Sequence, residues 1–215
     1  MPSHAAADSP DADPDPATAA VGTVDLTPRQ AQWVEPLEHF LPGFVAESGW
    51  QWLDPGQLPP APRRLLAHDD DMTPTLEQFH RAAIDLEVRE LEQQDDLLSR
   101  LVILHEHRAG QPVEFGAIWI HLAGFDPAVR RAIEQATEPL GGILGRMQVP
   151  HSSHPRAFFS CSAAVVARRL GGFELMPGQP APASYGRCNE LRHADGRVFA
   201  EIVEILPPLP AESTR

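Results

Sequence analysis

Two charged residues stand inside otherwise apolar segments, and they are the first candidates for chemistry. Arg100 lies within residues 97–104, and Glu204 lies within residues 202–206. Both segments are typical of strands that are apolar on both faces, so both side chains are expected to be at least partly buried. Because an unpaired buried charge is costly, each of the two residues needs a partner.

The need for a partner allows two structural interpretations and one functional interpretation. In the structural ones, Arg100 and Glu204 form an ion pair across a sheet, or both lie on edge strands and face water. In the functional one, they line an internal pocket where the arginine binds a carboxylate. The glutamate would then handle a hydroxyl group or a proton.

Histidines raise the question of a metal site. His105 and His107 alternate at the end of a predicted strand and could meet one metal ion, but no third ligand is evident, and a polar hairpin is the alternative. His151 and His154 fit a solvated loop better than a metal site, and an anion contact is a further alternative. We therefore expect no metal.

Cysteines and a run of aspartates give weaker signals. Cys161 and Cys188 are too few for a disulfide scaffold or a closed cysteine zinc site. No local signature supports a Cys–His nucleophile, so structural thiols are expected. The three aspartates at residues 69–71 could bind a divalent cation, but acidic residues are also favoured at a helix N-terminus.

The composition excludes several classes of function. The chain has 215 residues, of which 30 are acidic and 17 basic, with a net charge of −13. This charge argues against nucleic acid or an anionic membrane as a partner. Every basic residue is an arginine, so a Schiff-base lysine, a pyridoxal-phosphate anchor and a Walker-A loop are excluded. Without a membrane-spanning run or a secretory signal, a cytoplasmic protein is expected.

The order of the predicted elements indicates an α+β fold with a single antiparallel sheet. Strands joined by tight turns pair antiparallel, whereas the helices occur in blocks and are expected on one side or end of the sheet. Strands are predicted at residues 84–91, 97–105, 113–122, 157–162, 185–192 and 198–206, the last two joined by a type I′ turn at Asp195-Gly196. Helices are predicted to begin at Pro28, at Pro74 with Thr73 as N-cap and Phe79 buried, after Asp126, after Pro139, and at Ala163.

The chain divides into four segments. Residues 1–24 are rich in alanine, proline and aspartate and are predicted to be a disordered arm. Residues 25–64 are predicted to be an N-terminal extension and connector. Residues 65–208 are predicted to form the folded domain, and residues 209–215 a tail.

Taken in order, short segments of this domain resemble the chorismate lyase family, also called chorismate–pyruvate lyase or 4-hydroxybenzoate synthase. The resemblance covers about residues 65–208, and the order and spacing of its segments carry it. These segments are Asp71-Met72-Thr73, residues 98–104, Gln111-Pro112-Val113 leading into residues 116–120, Pro139-Leu140-Gly141, Tyr185-Gly186-Arg187, and residues 204–208.

The resemblance implies a single antiparallel sheet with helices over an enclosed site. It implies that Arg100 binds the ring carboxylate of chorismate, with help from backbone N–H groups near Met72 and Leu140. Glu204 is implied to contact the ring hydroxyl. Arg187 is a candidate second anion-binding group, with a sheet-edge ion pair as the alternative.

The resemblance also implies an activity, the conversion of chorismate to 4-hydroxybenzoate and pyruvate for ubiquinone or another aromatic product. Loss of pyruvate makes the ring aromatic, so a monomer without a cofactor would suffice if it orients the substrate and stabilises charge at the ether oxygen. Glu204, if burial raises its pKa, is a candidate donor to that oxygen. The alternative is a non-catalytic binding protein for a small aromatic carboxylate, because the ligand-binding domains of some bacterial regulators share this fold.

Several positions depart from the family pattern. Gly116-Ala117 stand where enterobacterial-type members carry a basic residue, which puts a contact to the enolpyruvyl carboxylate in doubt. Glu201 lies three residues before Glu204 and would replace it after a small shift in register. The departures allow another aromatic acid as the ligand.

Overall fold

The computed structural model describes residues 24–174 and 182–209, and the strands within these residues form one sheet. Its order is β1-β5-β6-β7-β4-β3-β2, and every neighbouring pair is antiparallel. The predicted single antiparallel sheet is therefore confirmed. The strands are β1 (Gln51–Leu53), β2 (Ile84–Gln94), β3 (Leu97–Glu106), β4 (Pro112–His121), β5 (His151–Ser162), β6 (Ala183–His193) and β7 (Val198–Leu206).

Seven α-helices accompany the sheet in the described residues, and none is long and apolar enough to cross a membrane. The first helix begins as predicted, with Pro28 in its first turn and a capping box between Thr27 and Gln30. The helices are α1 (Pro28–Phe40), α2 (Phe44–Glu47), α3 (Pro60–Leu66), α4 (Met72–His80), α5 (Pro127–Gln135), α6 (Leu140–Arg146) and α7 (Ala163–Leu170).

Helices cover both faces of the sheet, whereas the sequence predicted them on one side or end. On one face α1, α2 and α7 pack over apolar residues such as Ile103, Phe115 and Val203. On the other face α3 to α6 pack over residues such as Leu104 and Ile118. The central strands are apolar at both odd and even positions, so each face must be buried against a layer of helices.

The segment predicted as an extension and connector, residues 25–64, packs on the same sheet as the residues that follow it. Helix α1 contacts β3, β4, β6 and β7, and β1 pairs with β5 at the sheet edge. Just before β1, the ring of Trp50 stacks on Phe159 with the centroids 3.6 Å apart. These residues therefore complete the core of the sheet. The predicted arm (1–24) and tail (209–215) lie almost wholly outside the described residues.

Helix α4 differs from its prediction at both ends. It begins at Met72, with Asp71 rather than Thr73 at the N-cap position, and Pro74 lies within the helix. Thr73 is instead buried and lies close to the start of α6. Phe79 was predicted to be buried, but it is 38% exposed, and its ring is covered by the guanidinium of Arg64 at 5.8 Å.

The hairpin between β6 and β7 is present, but its turn is not type I′. That type requires positive φ at both central residues, and here Gly196 has a φ of 86° while Asp195 does not have a positive φ. The N–H of Gly196 donates to the carbonyl of His193 at 2.8 Å, and the N–H of His193 donates to the carbonyl of Arg197 at 2.9 Å. This pattern is a β-turn centred on Ala194 and Asp195 and followed by a glycine bulge at Gly196, which is typical of hairpins with three residues between the last hydrogen-bonded pair, here His193 and Arg197.

Candidate functional site

A cavity lies between the sheet and the N-terminal ends of α4 and α6. We call the face of the sheet that borders it the cavity face. The cavity encloses about 60 Å³, several times the roughly 10–15 Å³ that one water molecule requires. This volume holds a few water molecules and is below the roughly 150 Å³ of a cavity that binds benzene. The lining residues are Asp71, Met72 and Thr73 from α4 and its N-cap, Pro139, Leu140 and Gly141 from α6 and its N-cap, and Leu86, Arg100, Val102, Leu104, Glu114, Gly116, Ile118, Asn189, Leu191, Ile202 and Glu204 from the sheet.

Strand alternation and register bring the two predicted charges into this cavity. Arg100 of β3 pairs with Ile118 of β4. On the opposite edge of β4, Gly116 pairs with Glu204 of β7. Because successive side chains on a strand point to opposite faces, these residues share the cavity face. Strand β4 lies between β3 and β7, so Arg100 and Glu204 line one cavity without being on neighbouring strands.

Arg100 is a buried cation without a counter-charge in the part of the chain that the structure describes. It is 2% exposed, and its Nε and Nη1 atoms have no hydrogen-bond partner among the described residues. Burial lowers its pKa to about 10. The structure therefore shows neither of the two structural interpretations for this residue: Arg100 forms no ion pair with Glu204, and it does not face water. Its free donors suit a carboxylate, which a guanidinium binds in a two-pronged arrangement.

Glu204 is paired with Arg187 instead. The carboxylate of Glu204 accepts a hydrogen bond from Nε of Arg187, and both side chains are buried. Nη1 of Arg187 also donates to the carbonyls of Leu66 (3.1 Å) and His68 (3.0 Å). Arg187 belongs to a central strand and not to a sheet edge, and it is not among the residues that line the cavity. The structure thus places Arg187 behind Glu204, which it orients and neutralises.

The register of the C-terminal strand distinguishes Glu204 from Glu201. Glu201 pairs with Trp119, one position out of phase with the cavity face, and its carboxylate lies 3.2 Å from Nε2 of His121. It is partly exposed, whereas Glu204 is buried. Glu204 is therefore the glutamate of this strand that reaches the cavity.

A further charged residue, Glu114, lines the cavity and was missed by the sequence analysis. It is 4% exposed, and its Oε2 atom has no hydrogen-bond partner among the described residues. Burial, together with the charge of Glu204, raises its pKa well above the ordinary range, although Arg187 opposes the shift. The sequence feature that identified Arg100, a charged residue within an apolar strand, also applies to Glu114. Glu114 is flanked by Val113 and Phe115.

Met72 and Leu140, the two predicted backbone contacts, are the first residues of α4 and α6, and both line the cavity. The helix starts approach each other closely. A Cβ atom on Gly141 would lie only 3.2 Å from Oγ1 of Thr73. Backbone N–H groups in a first helical turn have no partner within the helix. A contact between those of Met72 and Leu140 and a ligand stays a prediction.

His151 anchors the start of α4 over the cavity. It was predicted in a loop, but it is the first residue of β5, where it pairs with His193. Its Nε2 atom lies 3.0 Å from both carboxylate oxygens of Asp71, and its Nδ1 atom lies 2.7 Å from the carbonyl of Val149. Because both ring nitrogens face acceptors, the doubly protonated ring satisfies both contacts. The hydrogen bond that His151 donates to the carboxylate of Asp71 accordingly raises the pKa of His151.

The stabilisation contributed by His151 is expected to decrease as the pH rises. Since its pKa is raised in the folded protein, the contribution is fully present below the unfolded pKa near 6.5 and is lost as the pH passes through the folded value. We expect His151→Gln to cost about 1–3 kcal/mol of unfolding free energy at low pH and less at high pH. Urea denaturation from about pH 6 to about pH 9 measures this difference.

The matched control for this measurement is His154→Gln. His154 lies on the same strand, and its Nε2 contacts the hydroxyl of Ser152 at 2.9 Å rather than a carboxylate. This variant should show no comparable pH-dependent difference. A difference between wild type and His151→Gln that stayed constant over the whole pH range would contradict the charged Asp71–His151 contact.

The remaining histidine candidates make separate structural contacts. His105 binds Glu87 (2.7 Å) and His107 binds Asp85 (2.8 Å), both carboxylates of the neighbouring strand. No group of three or more metal-ligating side chains comes together in the described parts of the chain.

Both cysteines are buried and free. Burial raises the pKa of Cys161 to about 12, and burial together with the charge of Glu204 raises the pKa of Cys188 as well. Raised pKa values disfavour the thiolate, so neither thiol has the character of a nucleophile.

The sequence matches no protein-family model and no curated protein. Among solved structures, a gene product of Staphylococcus aureus is similar with 7% identity and a TM-score of 0.45, over 69% of this chain and 99% of that chain. A possible transcriptional regulator from Bacillus subtilis has 10% identity and a TM-score of 0.43, over 65% of this chain and 64% of that chain. A GntR-family transcriptional regulator from Bacillus cereus has 11% identity and a TM-score of 0.39, over 61% of this chain and 98% of that chain. Likenesses this low carry no argument about the function of this chain.

Proposed function

We propose that the cavity binds a small aromatic carboxylate and that Arg100 holds its carboxylate group. The observation that carries the proposal is the buried guanidinium of Arg100, which lines the cavity and whose Nε and Nη1 atoms have no hydrogen-bond partner in the described parts of the chain. Since the cavity is smaller than an aromatic acid, binding requires the starts of α4 and α6 to move outward. Buried charges are ordinarily paired, so an arginine without a protein partner supports an anionic ligand as the missing one.

The rest of the lining supports an aromatic ring between the polar groups. Apart from Thr73, Asn189 and its charged residues, the cavity lining is apolar, and a flat apolar ring buries its faces against such walls. The branched aliphatic residues of this lining are Leu86, Val102, Leu104, Ile118, Leu140, Leu191 and Ile202.

Binding through Arg100 is expected to raise the melting temperature of the wild type in the presence of benzoate or 4-hydroxybenzoate. A ligand at a hundred times its Kd stabilises the folded state by about 2.7 kcal/mol. Arg100→Met should lose this shift, whereas Arg89→Met, which removes an exposed arginine paired with Glu87, should keep it. The proposal fails if no aromatic carboxylate stabilises the wild type, or if Arg100→Met responds as the wild type does.

A second candidate function is the lyase reaction that the sequence resemblance implies. The observation that favours it is that Arg100 and Glu204, far apart in the chain, line the same cavity. Arg100 would hold the ring carboxylate of chorismate in a reactive orientation. In the reaction the bond from the ring to the ether oxygen breaks, a ring proton is lost, and the enolpyruvyl group leaves as pyruvate after gaining a proton.

The pairing of Glu204 changes its expected part in such a reaction. As a carboxylate bound to Arg187, Glu204 is an acceptor for the ring hydroxyl rather than the donor to the ether oxygen considered from the sequence. Incubation with chorismate, followed by chromatography for 4-hydroxybenzoate and pyruvate, separates the two candidates. Product from the wild type but not from Arg100→Met supports the lyase, and chorismate bound without turnover supports the binding protein. A cytoplasmic location, a monomeric state and the lack of nucleic-acid or membrane partners stay predictions of the sequence.

A further inference from the structure

We propose that Glu114 donates a hydrogen bond to a hydroxyl group of the ligand, and that Arg100 and Glu114 together select hydroxylated aromatic monocarboxylates over dicarboxylates. The proposal deepens the proposed function and rests on it. It assigns a role to Glu114, a buried residue of the cavity lining that neither the sequence nor the resemblance identified.

The carboxyl group of Glu114 defines one end of the cavity. A Cβ atom added to Gly116 would lie 3.5 Å from Oε1 of Glu114, so this carboxyl group extends over the glycine. Directly across the strand pair, Gly116 faces Glu204. Glu114 and Glu204 both line the cavity, and the missing side chain at Gly116 leaves the strand between them open on that face.

Arg100 lies away from Gly116 along the neighbouring strand. Gly116 is paired with Val102 on its other side, and Arg100 lies two residues before Val102, about 7 Å along the strand. The cavity thus has a cationic end at Arg100 and a carboxyl end at Gly116, with a lining that is otherwise mostly apolar. A benzoate with a hydroxyl group opposite its carboxylate matches this order of groups.

The charged side chains of the cavity lining differ in whether they are paired. Glu204 is neutralised by Arg187, and Asp71 is paired with His151, whose pKa this contact raises. Glu114 has no cationic partner in hydrogen-bond contact among the described residues, and it is buried in the same cavity as Glu204, whose charge acts on it. Burial next to another carboxylate favours the protonated form of a carboxyl group. The positive charge left unmatched is then that of Arg100, which one carboxylate neutralises.

The carboxyl end of the cavity offers both a hydrogen-bond donor and a hydrogen-bond acceptor. A protonated Glu114 donates, and the Arg187-bound carboxylate of Glu204 accepts. A hydroxyl group both accepts and donates, so it satisfies the two glutamates at once. A second carboxylate would be buried beside Glu204 with no cation to match it, which is strongly unfavourable. At Gly116-Ala117, moreover, the chain carries no basic residue.

The test is calorimetric titration of the full-length protein with benzoate, 4-hydroxybenzoate and terephthalate. We expect the wild type to bind 4-hydroxybenzoate about tenfold more tightly than benzoate, and terephthalate at least about tenfold more weakly than 4-hydroxybenzoate. Glu114→Gln keeps a neutral donor and should preserve both preferences. Glu114→Leu removes the donor and should abolish the preference for the hydroxyl group while still binding benzoate.

Infrared spectroscopy provides a second test that needs no ligand. The wild type should show the C=O stretch of a protonated buried carboxyl group, and Glu114→Gln should lack it. The inference is overturned if this band is absent from the wild type, if terephthalate binds as tightly as 4-hydroxybenzoate, or if Glu114→Leu retains the hydroxyl preference. Failure of the proposed function would look different, because binding of all three compounds would then be absent or would survive in Arg100→Met.

Discussion

Replacement of Arg100 by methionine is expected to stabilise the ligand-free protein while it abolishes ligand binding. Arg100 is buried without a counter-ion among the described residues, and the lowering of its pKa from 12.5 to about 10 corresponds to an unfavourable burial energy of about 3 kcal/mol. Methionine retains most of the packing without the charge. For a chain of this length the gain corresponds to a rise of about 6–12 °C in melting temperature.

Chemical denaturation with and without 4-hydroxybenzoate measures both parts of this prediction. Without ligand, Arg100→Met should unfold at a higher denaturant concentration than the wild type. With ligand, the wild type should gain stability and the variant should not. If Arg100→Met were clearly less stable than the ligand-free wild type, Arg100 would have a partner within the protein. An anionic ligand would then not be needed to pair it.

Arg187→Met is expected to have the opposite effect, although Arg187 is as deeply buried as Arg100. Its removal leaves the carboxylate of Glu204 buried without a partner, and breaking a buried ion pair in this way costs about 3–5 kcal/mol. The two arginine variants form a matched pair, because they have the same chemistry and burial and differ in whether a counter-charge is present. Their unfolding free energies should differ from wild type with opposite signs.

The double variant Arg187→Met/Glu204→Leu tests the cause of that loss. If the penalty comes from the unpaired carboxylate, removal of Glu204 should restore most of the lost stability, giving a coupling energy well above the uncertainty of the measurement. A double variant whose loss equals the sum of the two single losses would show that Arg187 and Glu204 act independently. The two buried arginines would then need another explanation.

Much of the fold followed from local signals. Alternation of apolar residues predicted most of the strands, and the exact span of the last one. Proline near a helix start, after Thr27 and after Asp126, predicted the starts of α1 and α5. These signals succeed because a strand has a period of two and proline has a fixed φ, which act within a few residues.

The signals failed where distant segments decide the outcome. His151 lies in a strand because β6 pairs with it, and residues 25–64 belong to the core because both faces of the sheet must be covered. The turn at Gly196 differs from its prediction because the connection between the two strands has three residues rather than two.

The sequence by itself indicated that Arg100 and Glu204 would be at least partly buried, because both lie among apolar neighbours, and it left open that they face water on edge strands. Only the tertiary structure decided which charge is paired. Arg187 lies directly opposite Glu204 in the register of β6 and β7, whereas Arg100 is separated from Glu204 by a whole strand. Register is set by the packing of the entire sheet. For that reason the free cation at Arg100 and the carboxyl group of Glu114 over Gly116 became visible only once the seven strands were in place.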